Sequence, residues 1–143
     1  VQWEGKSFSE KNTDTLHSLM STPFIEDGHI YGVCSYGQLR CLKLDTGERV
    51  WETFAATTGA PVRWGNAFLI KHSARFFLAN EQGDLIIAKL TPKGYEEISR
   101  ALLLDPTNPD PRRTVVWSHP AFANRSVYAR NGREIVCVSL AAE

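Results

Sequence analysis

Tyr31 and Phe77 lie 46 residues apart, and the same offset carries Gly37 onto Gly83, Leu39 onto Leu85, Lys43 onto Lys89 and Leu44 onto Leu90. The repeated unit is a hairpin. His29 to Ser35 leads into a Tyr36-Gly37 turn, and Gln38 to Leu44 then alternates apolar and polar residues, the period of a half-buried strand. Thr22 to Glu26, closed by Asp27-Gly28, adds a short strand before the hairpin, and Arg49 to Phe54 adds one after Asp45-Thr46-Gly47. A third copy follows: Ser118 to Phe122 matches Ser21 to Ile25, Val127 to Arg130 matches Ile30 to Val33, and Glu134 to Leu140 matches Gln38 to Leu44.

Repeats of about 40–50 residues with four short strands each have the spacing of β-propeller blades. Helix-pair repeats share that period, but these segments alternate with period two and break at glycines. The expected fold is all-β: about three blades of four antiparallel strands, forming an incomplete ring within one partial domain. Residues 1–18 read as the end of a preceding blade and a long loop, 19–58 and 63–103 as blades, and 115–141 as a blade without its last strand. Leu104 to Arg113, with Pro106, Pro109 and Pro111, reads as a loop. A helical turn near Gly94 to Ala101 competes with the strand expected from the first copy.

Charge removes several function classes. The chain has 16 basic and 16 acidic residues, so it lacks the concentrated positive face that binds nucleic acid. No apolar run is long enough to span a bilayer as a helix. The start, Val1-Gln2-Trp3-Glu4-Gly5, reads as the middle of a chain, so this is expected to be a C-terminal piece of a larger protein. Cys34, Cys41 and Cys137 form neither a C-x-x-C pair nor an even disulfide set, and read as small apolar strand residues. His17, His29, His72 and His119 lack zinc-site spacing, and no phosphate loop, dinucleotide fingerprint or nucleophile elbow is present. Asn124-Arg125-Ser126 fits the glycosylation sequon, which three residues match often by chance.

Leu42-Lys43-Leu44-Asp45-Thr46-Gly47-Glu48-Arg49-Val50-Trp51 resembles the pyrroloquinoline-quinone-like (PQQ-like) propeller repeat, with Leu42 in place of the usual Ala and a shorter Asp-to-Thr spacing. Pro23, Asp27-Gly28, Tyr31 and Gly37 also fit the repeat, although only the first copy carries the whole hallmark. The resemblance implies a docking role for Asp45, Thr46, Gly47 and Trp51, with Trp51 packed between blades and Asp45 and Thr46 bonding the turn. The second copy offers Thr91-Pro92-Lys93-Gly94-Tyr95 with Ile98 in the Trp position, implying a weaker contact.

The family is largely bacterial and includes both quinone-dependent dehydrogenases and cofactor-free platforms such as the outer-membrane assembly lipoprotein. In the dehydrogenases, adjacent cysteines form a disulfide over the quinone and a Glu/Asn/Asp set binds Ca²⁺. This chain has no adjacent cysteine pair, so the leading expectation is a non-catalytic scaffold or binding surface for a protein or small molecule, without a cofactor. PQQ and Ca²⁺ belong to the alternative, part of an alcohol or sugar dehydrogenase. The expected partners are the remaining blades of a parent protein or a second copy, and the resemblance implies a periplasmic or extracellular setting.

One repeat-derived set remains. Met20, Trp64 and Trp117 are placed as equivalents just before each first strand, with Thr22, Asn66 and His119 two positions later. With Arg63 they could ring the channel mouth and bind a ligand, or the tryptophans could fill gaps between blades.

Overall fold

A computed structural model describes residues 2–141, and every element among them is a strand. The first blade holds β1 (Phe24–Glu26), β2 (His29–Val33), β3 (Leu39–Lys43) and β4 (Arg49–Thr53), in antiparallel order β1-β2-β3-β4. The second repeats that order with β5 (Ala67–His72), β6 (Arg75–Asn80), β7 (Asp84–Thr91) and β8 (Gly94–Leu102). The Gly94 to Ala101 stretch is therefore strand: Asp84 to Thr91 pairs along its length. A small hairpin, β9 (Asn108–Asp110) and β10 (Arg113–Val115), precedes the third blade. That blade has β11 (Ala121–Ala123), β12 (Ser126–Arg130) and β13 (Ile135–Ser139). The chain is all-β and built from propeller-type blades.

The hairpin corrects the reading of Leu104 to Arg113 as loop throughout. Pro111 follows Asp110 directly, and its fixed φ suits the turn between β9 and β10. Pro109 is tolerated because this sheet has two strands, both of them edges.

Register makes the repeat exact down to its irregularity. Tyr31 pairs with Cys41, Phe77 with Ile87 and Tyr128 with Cys137. In the first blade Cys41 faces Trp51 and the next pair is Leu42 with Arg49, leaving Val50 as the extra residue of a bulge. In the second, Ile87 faces Ser99 and the next pair is Ala88 with Glu97, leaving Ile98 as the extra residue. Bulges bend the strand locally, and here both outer strands bend at the same place.

The main core lies between the first two blades. Tyr31, Val33, Leu39 and Cys41 from one meet Phe76, Leu78, Ile86, Ala88 and Leu90 from the other. Phe24 meets Phe76 edge-on with centroids 5.2 Å apart. The opposite face of the first blade is covered by residues 2–21, which contain no strand. Arg40 is buried on that face, donating to Thr13 O at 2.8 Å and to Glu52 at 3.1 Å. Leu16 packs where Gly32 has no side chain. Residues 2–18 thus complete a junction, whereas Val1 lies outside the described residues.

The β1–β2 turn has positive φ at both central residues, 47° at Asp27 and 72° at Gly28, as two-residue hairpins require. A Cβ at Gly28 would meet nothing within 4 Å. Gly28→Ala therefore isolates the backbone cost. It should lower stability by about 1 kcal/mol, read as a shift of the urea midpoint with an unchanged slope.

Candidate functional site

The docking motif serves two successive junctions. Gly47 has φ 70° and receives the ring of Trp3; a Cβ there would lie 2.5 Å from that ring. The Trp3 indole Nε1 donates to Leu44 O at 2.8 Å. Around the same turn, Gly47 N donates to Lys43 O at 2.9 Å and Glu48 N to the Thr46 hydroxyl at 3.3 Å. Asp45 contributes its main-chain carbonyl, 3.5 Å from Gln2 Nε2. Trp51 points the other way: its Nε1 donates to Thr91 O in the second blade at 2.8 Å, and its ring lies 6.1 Å from Tyr31. Each indole therefore reaches forward to the carbonyl at the turn of the next blade.

Sequence reasoning missed Trp3 as a docking residue. Its 48-residue spacing from Trp51 equals that from Trp51 to Ser99, its register counterpart in β8. The same register corrects the placing of Ile98 in the Trp position. Ile98 is the bulge residue, equivalent to Val50, and both are exposed because the bulge turns them outward.

At the end of the blades where the first strands begin, the polar side chains hold one another. Glu81, with its side chain 1% exposed, accepts from Arg113 Nε at 2.8 Å and from Arg113 Nη2 at 3.2 Å. Trp117 Nε1 donates to the same carboxylate at 3.1 Å. Arg113 also binds Asp110 at 2.6 Å and the Arg63 carbonyl at 3.1 Å. Arg63 itself pairs with Glu10 at 2.8 Å and stacks over Trp64, 4.7 Å from the ring centre. Asn66 is buried and its carbonyl accepts from Glu81 N at 3.1 Å.

Trp117 and Arg63 are thus joined through Arg113, and neither Glu81 nor Arg113 stood out in the sequence. Strand pairing equates Met20 with Asn66 and Trp117, and Thr22 with Phe68 and His119. Trp64 accordingly sits two residues upstream of the repeat position, in a loop with φ 63°. Phe68 takes the place assigned to Asn66, and its ring lies 4.7 Å from His119. The sequence alignment slipped by two, since the offset of 46 that the hairpins share carries Met20 onto Asn66 and not onto Trp64.

These groups do not fit a calcium–quinone site by themselves. Ca²⁺ takes six to eight oxygens, whereas both Glu81 oxygens and Asp110 are engaged by Arg113 or Trp117. Among the described residues no three His, Cys, Asp or Glu side chains converge as metal ligands. Cys34 and Cys41 are buried and Cys137 exposed, all as free thiols. Burial pushes the Cys41 thiol up, so it stays protonated and unreactive. No helix among the described residues is long and apolar enough to cross a membrane.

No family model matches the chain, and no curated protein matches it. Among solved structures it is similar to a quinohemoprotein alcohol dehydrogenase from Pseudomonas putida, at 18% identity and a TM-score of 0.51. The match covers 83% of this chain but 17% of that one. At this identity the likeness shows the fold alone: propeller blades of the quinoprotein kind, spanning a small part of the larger chain.

Proposed function

We propose that this chain is a non-catalytic segment of a PQQ-like β-propeller, a scaffold whose loops at the first-strand end form a binding surface. The observation that carries this reading is the state of the Glu81 carboxylate. A catalytic acid or metal ligand needs a free oxygen directed at a cleft, whereas Glu81 spends its oxygens on Arg113 and Trp117 and so ties the third blade to the second. The exposed Arg63 guanidinium over the Trp64 ring offers a cationic and aromatic contact at the same end. The remaining blades of a parent protein are the natural partners for the outer faces.

The alternative, part of a quinone-dependent dehydrogenase, draws on the solved alcohol dehydrogenase that these blades resemble. Supplying the intact protein that carries these blades with PQQ and Ca²⁺ and following alcohol-dependent dye reduction separates the two, since these blades span only 17% of the dehydrogenase they resemble. The expected result is no turnover and no saturable change in quinone absorbance. Alcohol-dependent reduction, or saturable quinone binding, would favour the dehydrogenase reading.

A further inference from the structure

Trp3 stands where a fourth strand stands in the other blades. It donates to Leu44 O as Trp51 donates to Thr91 O one junction later. The stretch that follows each has a matching length. Trp3 to Phe24 spans 21 residues, Trp51 to the equivalent Ile70 spans 19, and Ser99 to the equivalent Ala121 spans 22. Residues 2–5 therefore hold the place of a blade's outer strand without the three inner strands of that blade. The main-chain N–H and C=O groups of Trp3, Glu4 and Gly5 have no hydrogen-bond partner among the described residues.

The third blade is the converse. It has its first three strands, and β13 pairs with β12 alone among the described residues. The equivalent strands β3 and β7 each carry a fourth strand on their other edge. That strand begins at Arg49, eight residues after Cys41, and at Gly94, seven after Ile87. Counted from Cys137, neither spacing falls within the 143 residues, so the residues after Ala141 do not account for the open edge. β13 carries neither proline nor charge, the usual guards of a free edge.

The faces at the two ends of the array are also uncovered. On the third blade Ile135 is 72% exposed, whereas its equivalent Leu39 is fully buried against the second blade. Exposed Cys137 likewise matches buried Cys41. On the first blade Ile25 is 57% exposed and Ile30 half-buried, whereas the equivalent of Ile30, Phe76, is fully buried at the next junction.

We infer that two copies of this chain join head to tail, residues 2–5 of each completing the third blade of the other. Following the register of Trp51, Glu52 and Thr53 on β3, Trp3 pairs with the partner's Cys137, Glu4 with the partner's Val136 and Gly5 with the partner's Ile135. Trp3 keeps its bond to Leu44 O, so one indole ties the completed blade of one copy to the first blade of the other. Blade number selects the stoichiometry. Propellers close with about four to eight blades; one copy supplies three and three copies nine, so two copies alone fall in that range. A head-to-tail contact that closes on itself also leaves no sticky end. The inference rests on the scaffold reading for its blades, and puts a second copy where a parent's next blade would stand.

Sedimentation velocity of the intact chain at micromolar concentrations should show a species of twice the 16.0 kDa chain mass. Ile135→Lys puts a charge into the closing contact at a position exposed in the single chain. It should keep the strand signature in circular dichroism and weaken the dimer at least about tenfold. The direction of the contact is read by cross-linking in a Cys137→Ser background. Residues directly opposite on paired strands lie within disulfide reach, so a Glu4→Cys chain mixed with a Val136→Cys chain should oxidise to a dimer of unlike chains. Neither variant alone should do so. The inference is overturned by a monomer at every concentration, by a dimer that Ile135→Lys leaves intact, or by cross-linking of like chains as readily as unlike. A monomer would leave the scaffold reading standing, since that reading is tested by quinone and alcohol and not by chain number.

Discussion

Trp51→Ala should destabilise the chain by about 3 kcal/mol, toward the lower end of what large aromatic truncations cost because the ring is half-buried. Two losses combine. The indole leaves a gap beside Tyr31, and Thr91 O loses its donor. Trp51→Phe should separate them, since it keeps much of the apolar contact and removes only the hydrogen bond, a net effect of about 1 kcal/mol. Urea unfolding followed by circular dichroism gives both numbers. Because blade arrays depend on nearest-neighbour interfaces, Trp51→Ala should also broaden the transition or split it in two. A loss below that of Trp51→Phe would mean that Trp51 rests on the surface and does not join the blades.

Arg113→Met should cost about 3–5 kcal/mol, the range for stripping one partner from a buried ion pair. Glu81 would keep its charge in a site that excludes water, with only the Trp117 N–H left to satisfy it. Adding Glu81→Gln to Arg113→Met removes the stranded charge, so the double variant should recover a substantial part of the loss. The comparison of single and double variants makes the measurement a coupling energy. If the double variant is as unstable as the sum of the singles, the pair is not what holds β10 against the second blade.

The blades could be read from the sequence because each copy carries its own strand alternation and its own glycine turns. Gly37, Gly83 and Asp27-Gly28 mark hairpins whose geometry depends on neighbours in the chain. Trp51 was legible for a similar reason, standing in a recognisable run with Thr46 and Gly47. Glu81 and Arg113 were not. They are 32 residues apart and in different copies, and nothing in the repeat period pairs them, since they arise from the turn after β6 and the inserted β9–β10 hairpin. Trp64 illustrates the opposite error: without the pairing register, an aromatic residue in the loop before β5 is set two places out of its true correspondence. Ser99 is the least visible of all, because its importance lies in a side chain that the other junctions have and this one lacks.

Both indoles reach from an earlier stretch of chain to a later one, Trp3 to the first blade and Trp51 to the second. Synthesis runs in the same direction, and domains fold progressively as they emerge. When the turn ending in Gly47 leaves the ribosome, Trp3 is already present to meet it; when Thr91 emerges, so is Trp51. The fastening of each new blade is therefore carried by its predecessor, and assembly can advance without waiting for residues still to be made. At the third blade other residues keep the same order: Ser99 has no indole to hand forward, but Glu81 is already present to receive Arg113 and Trp117 as they emerge.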